Sequence, residues 1–352
     1  MPEACATVAF LGDTYLGSQP SIRLSADVRR ILADADLVVG NLEGPITDAD
    51  RAAPGKVCLR SAPETGSVLR DWGVDVVSLA NNHMFDFGRE GFDQTRRILK
   101  DVGVVGFGAG ANLAEALTPL IRDVGGVRLG FLACSWEPTQ TRRATETDYG
   151  AAPLEAGLMA DAIGELVQKV DAVIVTPHWG YCRYLLPPPE MVGAGGELLR
   201  AGATAVIGHH SHVVQGLALD RDALIAYSLG NFAFAEHDYR GHPLRSMQDS
   251  RMGAVLVVRF SPGRVASYEM SHTVQARGVI ALDRSGRRQR SFERRCAPVR
   301  AADYAKQWRK YLRRRLITRL LHWANPLNLR RLSGSTLSAA LQMLKEMIRG
   351  RR

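Results

Sequence analysis

Five short stretches of the 352-residue sequence carry side chains that bind divalent metal ions, and each follows a run of apolar residues typical of a buried strand. They include five of the nine histidines. Imidazole together with carboxylate and amide oxygen suits zinc, manganese, iron and similar ions, and the lack of thiolates argues against a closed structural zinc site. The conjunction predicts a metal centre built from Gly12-Asp13, Asn41-Leu42-Glu43, Asn81-Asn82-His83, His178-Trp179-Gly180 and Gly208-His209-His210-Ser211-His212.

Taken singly, most of these stretches also have a structural explanation. Asp13 after a glycine is typical of a turn former or a helix cap, Asn81-Asn82 of a left-handed turn, and His178 of a buried, hydrogen-bonded histidine. The histidine run is more specific. Alternate residues of an extended segment point the same way, so we expect His210 and His212 on one face, about 6–7 Å apart.

The elements that must position these residues alternate along the chain. Short β-branched runs predict strands, and amphipathic segments between them predict helices, so we expect an α/β layered core with chemistry at the carboxyl ends of its strands. After about Ser261 the pattern indicates a closing antiparallel edge. The predicted strands lie near residues 6–11, 37–40, 74–79, 102–107, 127–133, 172–175, 205–207, 224–228 and 254–260, and the helices near 25–35, 90–101, 158–170 and 189–201.

Charge is distributed unevenly along the chain. Residues 287–352 hold 19 Lys+Arg and 3 Asp+Glu, a net charge of +16, whereas residues 1–286 hold 26 and 33, a net charge of −7. An acidic body excludes a uniformly basic nucleic-acid binder. We therefore predict a body domain over 1–285 and a basic amphipathic helical tail over 286–352. A helix should run from Asp303 to Asn325-Pro326, and a second short helix should start at Ser335.

The tail has several explanations. Aromatic residues on one stripe and cations on the others suit an anionic membrane surface or an acidic partner, and the stripe could equally pack on the body or on another copy. Nonspecific contact with nucleic-acid phosphates is also open, but we expect no specific nucleic-acid binding. Five scattered cysteines, no apolar stretch that could span a membrane and no evident signal peptide favour a cytoplasmic protein, or one lying peripherally on the inner face of the membrane.

The motifs, taken in order, resemble those of the CapA/PgsA-type poly-γ-glutamate capsule biosynthesis family, which is related to the calcineurin-like metallophosphoesterases. The resemblance covers about residues 6–235 and excludes the basic tail. It is carried by Phe10-Leu11-Gly12-Asp13, Gly40-Asn41-Leu42-Glu43, Ser78-Leu79-Ala80-Asn81-Asn82-His83-Met84-Phe85-Asp86-Phe87-Gly88, Gly106-Phe107-Gly108-Ala109-Gly110, His178-Trp179-Gly180, Val206-Ile207-Gly208-His209-His210-Ser211-His212-Val213 and Tyr227-Ser228-Leu229-Gly230-Asn231-Phe232.

The resemblance implies a metallophosphoesterase-like layered β-sandwich flanked by helices, with two divalent metal ions (manganese, zinc or iron). It implies that Asp13 binds one metal and Glu43 bridges both. Asn82, His178 and His210 would complete the second site, and His212 would return to the first. His83 would be the general acid or oxyanion stabiliser, and Asp86 would orient it. We assign substrate binding to Arg183, Tyr184 and Asn231.

Three departures from the family pattern bear on these assignments. The usual first motif is Asp-x-His, but residue 15 is a tyrosine, so the first metal would keep Asp13, Glu43 and His212 only and be held weakly. After His-Trp-Gly, members often have a glutamate two residues on, whereas this chain has Cys182 there and a cation, Arg183, after it. Members also commonly carry an N-terminal membrane anchor or signal, and we expect none here.

Two functions follow from the resemblance. The first is a metal-dependent hydrolase acting on a phosphate ester or on a γ-glutamyl or other amide-linked substrate, either a small anion or a polymer. The second is a non-catalytic accessory component of a capsule or polyglutamate synthesis or export complex, in which the metal site is structural or vestigial. In either case residues 303–352 could make peripheral membrane or synthesis-complex contact.

Overall fold

The computed structural model describes residues 4–18, 21–239, 242–244 and 252–324; for 237–239, 242–244 and 318–324 it describes the backbone alone. The chain forms two compact units, Met1–Cys296 and Ala297–Arg352. The first unit ends later than the boundary predicted at residue 285, because Phe292 and Cys296 are buried in its core.

The secondary structure of the first unit alternates strands and helices over most of its length. The strands are β1 (Ala6–Tyr15), β2 (Arg23–Leu24), β3 (Leu37–Leu42), β4 (Val76–Ser78), β5 (Val105–Phe107), β6 (Ala109–Gly110), β7 (Leu120–Val124), β8 (Val127–Ser135), β9 (Gly150–Ala151), β10 (Ala172–His178), β11 (Ala205–Ile207), β12 (Leu217–Asp220), β13 (Ala223–Ala226), β14 (Asn231–Phe234), β15 (His237–Tyr239), β16 (His242–Leu244), β17 (Met252–Ser261), β18 (Arg264–Ala276) and β19 (Val279–Leu282). The helices are α1 (Ala26–Ala33), α2 (Thr65–Asp71), α3 (Gly88–Val102), α4 (Leu113–Ala116), α5 (Ala156–Leu166), α6 (Pro189–Arg200), α7 (Arg287–Val299), which runs into the second unit, and α8 (Tyr304–Ala324) in the second unit; a short 3-10 turn covers Glu137–Thr139.

The larger sheet runs in the order β2-β19-β18-β17-β1-β3-β4-β5, and β14 also pairs with β1. Strands β1, β3, β4 and β5 are parallel, so their carboxyl ends lie on one edge. Strands β17, β18 and β19 pair antiparallel on the other side of β1. The predicted antiparallel edge after Ser261 is thus confirmed.

The smaller sheet runs in the order β12-β13-β11-β10-β8-β7. Its four inner strands are parallel and its two outer strands are antiparallel. Two further small sheets pair β6 with β9 and β15 with β16.

One continuous apolar core contains side chains from both large sheets. The rings of Phe107 on the larger sheet and Phe131 on the smaller one meet edge to face at 6.2 Å. Capping residues mark the ends of two helices. The Ser25 side chain accepts a hydrogen bond from the Val28 amide at the start of α1, and Gly103 ends α3 in the left-handed conformation at φ 77°. The predicted layered α/β architecture with flanking helices is confirmed.

The second unit contains α8, which begins and ends within one residue of the predicted helix. Tyr304, Trp308 and Leu312 are buried and recur every four residues, whereas Lys306 and Lys310 are exposed. The predicted second helix from Ser335 lies outside the described residues. No helix in the part of the chain that the structure describes is both long and apolar enough to cross a membrane.

Candidate metal centre

The carboxyl ends of parallel strands from both large sheets converge on one place. Asp13 lies in β1 and Glu43 directly follows β3. Asn82 and His83 come after β4 on the same sheet. From the smaller sheet, His178 is the last residue of β10, and the segment 209–212 follows β11. The two sheets therefore supply the predicted ligands from opposite sides.

The Asp13 and Glu43 carboxylates are fully buried. The Asn41 amide nitrogen donates to both, at 2.9 Å to Asp13 Oδ1 and 2.7 Å to Glu43 Oε2. Burial and the nearby Asp13 charge raise the pKa of Glu43 well above its usual value, although Asn41 and His212 act against that rise. Glu43 Oε1 is buried and has no hydrogen-bond partner among the described residues.

Glu43 Oε1 faces a second group of predicted ligands. It lies 3.6 Å from His178 Nε2, and the same nitrogen lies 2.8 Å from Asn82 Oδ1 and 3.1 Å from His210 Nδ1. One ligand atom from each of Asp13, Glu43 and His178 fits within a mutual distance of 4.8 Å. Burial, and next His210, lower the pKa of His178 well below its usual value, so its imidazole is neutral and able to bind a cation.

His212 lies on the Asp13 side of the centre. Its Nδ1 is 3.2 Å from Asp13 Oδ2 and 2.9 Å from Asn231 Oδ1, and His209 Nδ1 lies 3.2 Å from the other Asp13 oxygen. Burial would raise the pKa of Asp13, but hydrogen bonds and charges from the two histidines outweigh it and hold that pKa well below its usual value. Burial would lower the pKa of His212, but Asp13 and Cys182 raise it well above its usual value.

The segment that carries His210 and His212 is not extended, so the geometric reason predicted for their proximity is wrong. Both residues have left-handed backbone, at φ 89° and 57°, and their rings lie 6.0 Å apart. The bend directly follows His209, whose backbone pairs with His178 at the end of β10. Backbone in this region is costly for residues other than glycine, so the surrounding contacts must impose it.

These residues fit a divalent metal ion. Two fully buried carboxyl groups lie beside imidazole nitrogens and an amide oxygen, and Glu43 Oε1 is unpartnered within the described chain. An unpartnered buried oxygen is a position that an ion can fill, and oxygen with imidazole nitrogen suits manganese, iron or zinc. The structure brings all six predicted ligands together: Asp13, Glu43, Asn82, His178, His210 and His212.

The two predicted catalytic residues are hydrogen-bonded to each other. His83 Nδ1 lies 2.6 Å from Asp86 Oδ2. Burial lowers the pKa of His83 although Asp86 acts to raise it, so the imidazole is neutral near pH 7. Lys56 lies 2.6 Å from the other Asp86 oxygen and donates to the backbone oxygen of Asn82, which ties this pair to a predicted ligand.

The three residues predicted to bind substrate lie in different surroundings. Arg183 is exposed and has left-handed backbone at φ 63°. Tyr184 is buried, and its ring packs against Tyr181 at 5.4 Å. Asn231 is buried and contacts His212. Their role in substrate binding stays a prediction.

Sequence reasoning gave no individual role to four residues that the structure places in or beside the centre. Asn41 bridges the carboxylates, His209 contacts Asp13, and Lys56 pairs with Asp86. Cys182 is exposed as a residue, but its sulfur lies 3.5 Å from His210 Nε2. The period of two in Asn41-Leu42-Glu43 could have indicated Asn41, because residues two apart in a strand share a face.

Solved structures similar to this chain include two nucleotidases. One is the 5'-nucleotidase precursor from Thermus thermophilus, at 17% identity and TM-score 0.45, covering 77% of this chain and 54% of that chain. The other is a putative 5'-nucleotidase from Staphylococcus aureus in complex with alpha-ketoglutarate, at 13% identity and TM-score 0.47, covering 75% and 54%.

Curated relatives are named for capsule or polymer synthesis. The chain is 30% identical over 211 residues to the capsule biosynthesis protein CapA of Bacillus anthracis, covering 58% of this chain and 51% of the relative. It is 28% identical over 239 residues to the PGA biosynthesis protein CapA of Bacillus subtilis (strain 168), covering 65% and 63%. A probable polyglutamine synthesis accessory protein of Mycobacterium tuberculosis (strain ATCC 25618 / H37Rv) is 27% identical over 261 residues, covering 68% and 69%.

The chain thus spans about half to two thirds of the length of these relatives. Residues 7–236, which include the six predicted ligands and the His83–Asp86 pair, match the family described as bacterial capsule synthesis protein PGA_cap. Because this match extends over more than half of the chain, the protein belongs to the bacterial capsule synthesis protein family PGA_cap.

Proposed function

We propose that the protein is a metal-dependent hydrolase of the metallophosphoesterase type that serves capsule or poly-γ-glutamate-type polymer synthesis. Its substrate would be a phosphate ester or a γ-glutamyl or other amide-linked anion. The observation that supports this most directly is the buried Asp13–Glu43–His178 group, whose ligand atoms lie within 4.8 Å of one another, with Glu43 Oε1 unpartnered in the described chain.

Asp13, Glu43, Asn82, His178, His210 and His212 would hold two divalent ions. When bound, such ions supply Lewis-acid chemistry, which offsets negative charge and makes water more acidic. The protein's own contribution is at His83. Because Nδ1 faces Asp86, Nε2 is left to act on the substrate. It would take a proton from the attacking water and give it to the leaving oxygen or nitrogen, or it would stabilise the oxyanion.

A second candidate is a non-catalytic accessory role, in which the centre only stabilises the fold. The printed name of the Mycobacterium tuberculosis relative, an accessory protein, favours it. In this case the metal ligands would be needed for stability, and no member of a substrate panel would be hydrolysed.

Metal analysis with a substrate panel separates the two. We expect bound metal in the wild type and hydrolysis of a phosphate monoester or a γ-glutamyl peptide. Asn82→Ala and His210→Ala should each lower activity by at least about 100-fold, since each removes a ligand. Asn112→Ala, at the start of α4 outside the centre, is the matched control. If the wild type binds no stoichiometric metal and both variants equal it, the hydrolase proposal is wrong.

We further propose that residues 303–352 contact an anionic membrane surface or a synthesis complex on the inner face of the membrane. The support is the run of exposed cations on α8. Cosedimentation of the full chain and of a 1–296 truncation with anionic vesicles tests it. Equal sedimentation of the two would contradict membrane contact through this segment.

A further inference from the structure

A cavity of about 480 Å³ opens in the first unit, between the segment after His212, β17 and α7. This volume is in the range of pockets that hold small ligands or parts of larger ones. None of the six predicted metal ligands lines it, so it is distinct from the metal centre.

The cavity is lined by four arginines and a single acidic residue, Asp283. Asp283 pairs with Arg288 at 2.8 Å, and Arg295 donates to the backbone oxygen of Val214 and to Ser291. Arg287 and Arg294 are exposed. The Arg287 backbone amide donates to Ser285 Oγ at 3.3 Å, but the guanidinium groups of the two arginines make no hydrogen bond or ion pair with the described residues. The lining therefore carries a net charge of +3 within a body that is otherwise acidic.

A buried histidine in the same wall has one unpartnered nitrogen. His272 is only 7% exposed, and although its side chain contacts Gln289, its Nε2 makes no hydrogen bond within the described chain. Its ring packs edge to face on Phe292 of α7 at 5.4 Å. A buried polar atom with no partner usually marks a position that a ligand or water fills.

The cavity lies beside the metal centre. Val213 and Val214 line it and directly follow His212. Successive Cα atoms are about 3.8 Å apart, so the wall starts about 4 Å along the backbone from His212. This distance is comparable to the separation of two acidic groups a few bonds apart in one substrate.

We propose that this cavity is an oxyanion-binding subsite that holds a second acidic group, a carboxylate or a phosphate, of the substrate whose reactive bond lies at the metal centre. The planar guanidinium groups of Arg287 and Arg294 bind such an oxyanion through paired hydrogen bonds, and His272 Nε2 completes the wall. The inference rests on the proposed function for the statement that the reactive bond of the substrate lies at the metal centre. The binding of an oxyanion in the cavity does not depend on it.

Calorimetric titration of the full chain carrying His210→Ala, in a chelator, isolates the cavity from the metal centre. The probes are a short γ-linked glutamate peptide and inorganic pyrophosphate, at moderate salt. We expect saturable binding of at least one probe, weakened about tenfold or more by Arg287→Ala with Arg294→Ala. Arg287→Lys with Arg294→Lys should bind with intermediate affinity, because charge remains but the planar fork is lost.

The matched control is Arg200→Ala with Arg259→Ala, which removes the same charge from exposed positions outside the cavity and off α7. This pair should change the affinity less than about twofold, since it alters only long-range attraction. If neither probe binds saturably, or if the control pair weakens binding as much as the cavity pair, the inference is wrong. Which probe binds tells carboxylate from phosphate.

The outcome is separable from that of the proposed function. If Asn82→Ala and His210→Ala abolish hydrolysis but the cavity pair leaves KM unchanged, the subsite is wrong and the hydrolase stands. If the cavity binds a probe through Arg287 and Arg294 but no substrate is hydrolysed, the hydrolase is wrong and the anion site stands.

Discussion

At the scale of single residues, Asn41 holds the two buried carboxyl groups of the metal centre in place. Its amide nitrogen contacts both buried carboxylates, and its own oxygen accepts from Asn81 at 3.2 Å. The side chain keeps Asp13 and Glu43 apart without adding charge. It thereby fixes the spacing of the oxygen ligands before any cation enters.

The protons held at the centre predict how metal affinity depends on pH. The raised pKa values of Glu43, through burial and the Asp13 charge, and of His212, through Asp13 and Cys182, mean that both groups hold protons that a metal must displace. Binding should therefore release protons, and affinity should rise with pH until both groups are deprotonated. Calorimetry of metal binding in buffers of different ionisation enthalpy measures this release. A metal affinity that stays the same from about pH 5.5 to about pH 7.5, roughly one unit on either side of the usual histidine pKa, would contradict this proton release.

Asp86 should matter for stability as well as for His83. It is fully buried and accepts from the Leu59 amide at 2.8 Å while it pairs with Lys56 and His83. Asp86→Ala leaves those partners without a counterpart, so we expect the free energy of unfolding to fall by about 3 kcal/mol. Urea unfolding measures the loss.

Asp93→Ala is the control for this change, because Asp93 forms an exposed ion pair with Arg89 on α3. It should cost less than about 1 kcal/mol. Equal losses of unfolding free energy in the two variants would show that the contacts of Asp86 with Leu59, Lys56 and His83 do not stabilise the fold.

At this scale the sequence predicts which residues meet, because strand ends in a parallel sheet share an edge. Asp13 and Glu43 are found together for that reason, and the packing of the two sheets brings His178 to them from the smaller sheet. It does not predict the contacts of Lys56 or Cys182. Both lie on loops, where no period relates a residue to the face that it occupies.

At the scale of elements, glycines let three strands approach one another beside the centre. An added Cβ on Gly12 would lie 2.1 Å from the Gly230 backbone oxygen, and one on Gly253 would lie 2.1 Å from the Asn231 backbone oxygen. Here the partner of β1 changes from β17 to β14. Asp13 sits at this change of partner, so its position depends on the glycine before it.

Gly12→Ala should therefore displace β14 and the Asp13 carboxylate together. We expect a loss of about 1–3 kcal/mol in the free energy of unfolding, since the clash is with backbone rather than with a flexible side chain. Metal affinity should fall in the same variant. Urea unfolding and metal titration report the two effects.

Gly157→Ala is the matched control, because nothing lies within 4 Å of the added Cβ in α5. Its stability should be unchanged or raised by up to about 1 kcal/mol. A Gly12→Ala variant as stable as this control would disprove close packing at the strand crossing.

The strands β1, β3, β4, β5, β8, β10, β11, β13 and β17 and the helices α1, α3, α5, α6 and α8 were predictable, and the turn at His210 was not. Apolar period and cap residues such as Ser25 are local signals. The left-handed backbone at His210 follows an isolated bridge between His209 and His178, the last residue of β10. No local pattern encodes that contact.

At the scale of the whole molecule, the basic sequence that follows residue 286 begins inside the body. Phe292 and Cys296 are each 6% exposed, and the Leu217 amide donates to the Cys296 sulfur at 3.2 Å. The first turns of α7 thus serve the core of the first unit. The sequence becomes basic after residue 286, about ten residues before the first compact unit ends at Cys296.

A truncation series should show this difference. A chain of residues 1–285 lacks Phe292 and should lose about 3–5 kcal/mol relative to a chain of residues 1–296, because a large buried side chain is removed from the core. Urea unfolding of both fragments, with the full chain beside them, measures the loss. Equal stability of the two fragments would contradict a structural role for the start of α7.

The position of β1 in the middle of the larger sheet has a consequence for synthesis. Asp13 and His210 are 197 residues apart in the chain, and a ribosome adds about 5–20 residues per second. Roughly 10–40 s therefore pass between the emergence of the first carboxylate and that of its histidine partner. Meanwhile β3 can cover one edge of β1, but β17 arrives later still, so the other edge stays open on the nascent chain to any strand that meets it.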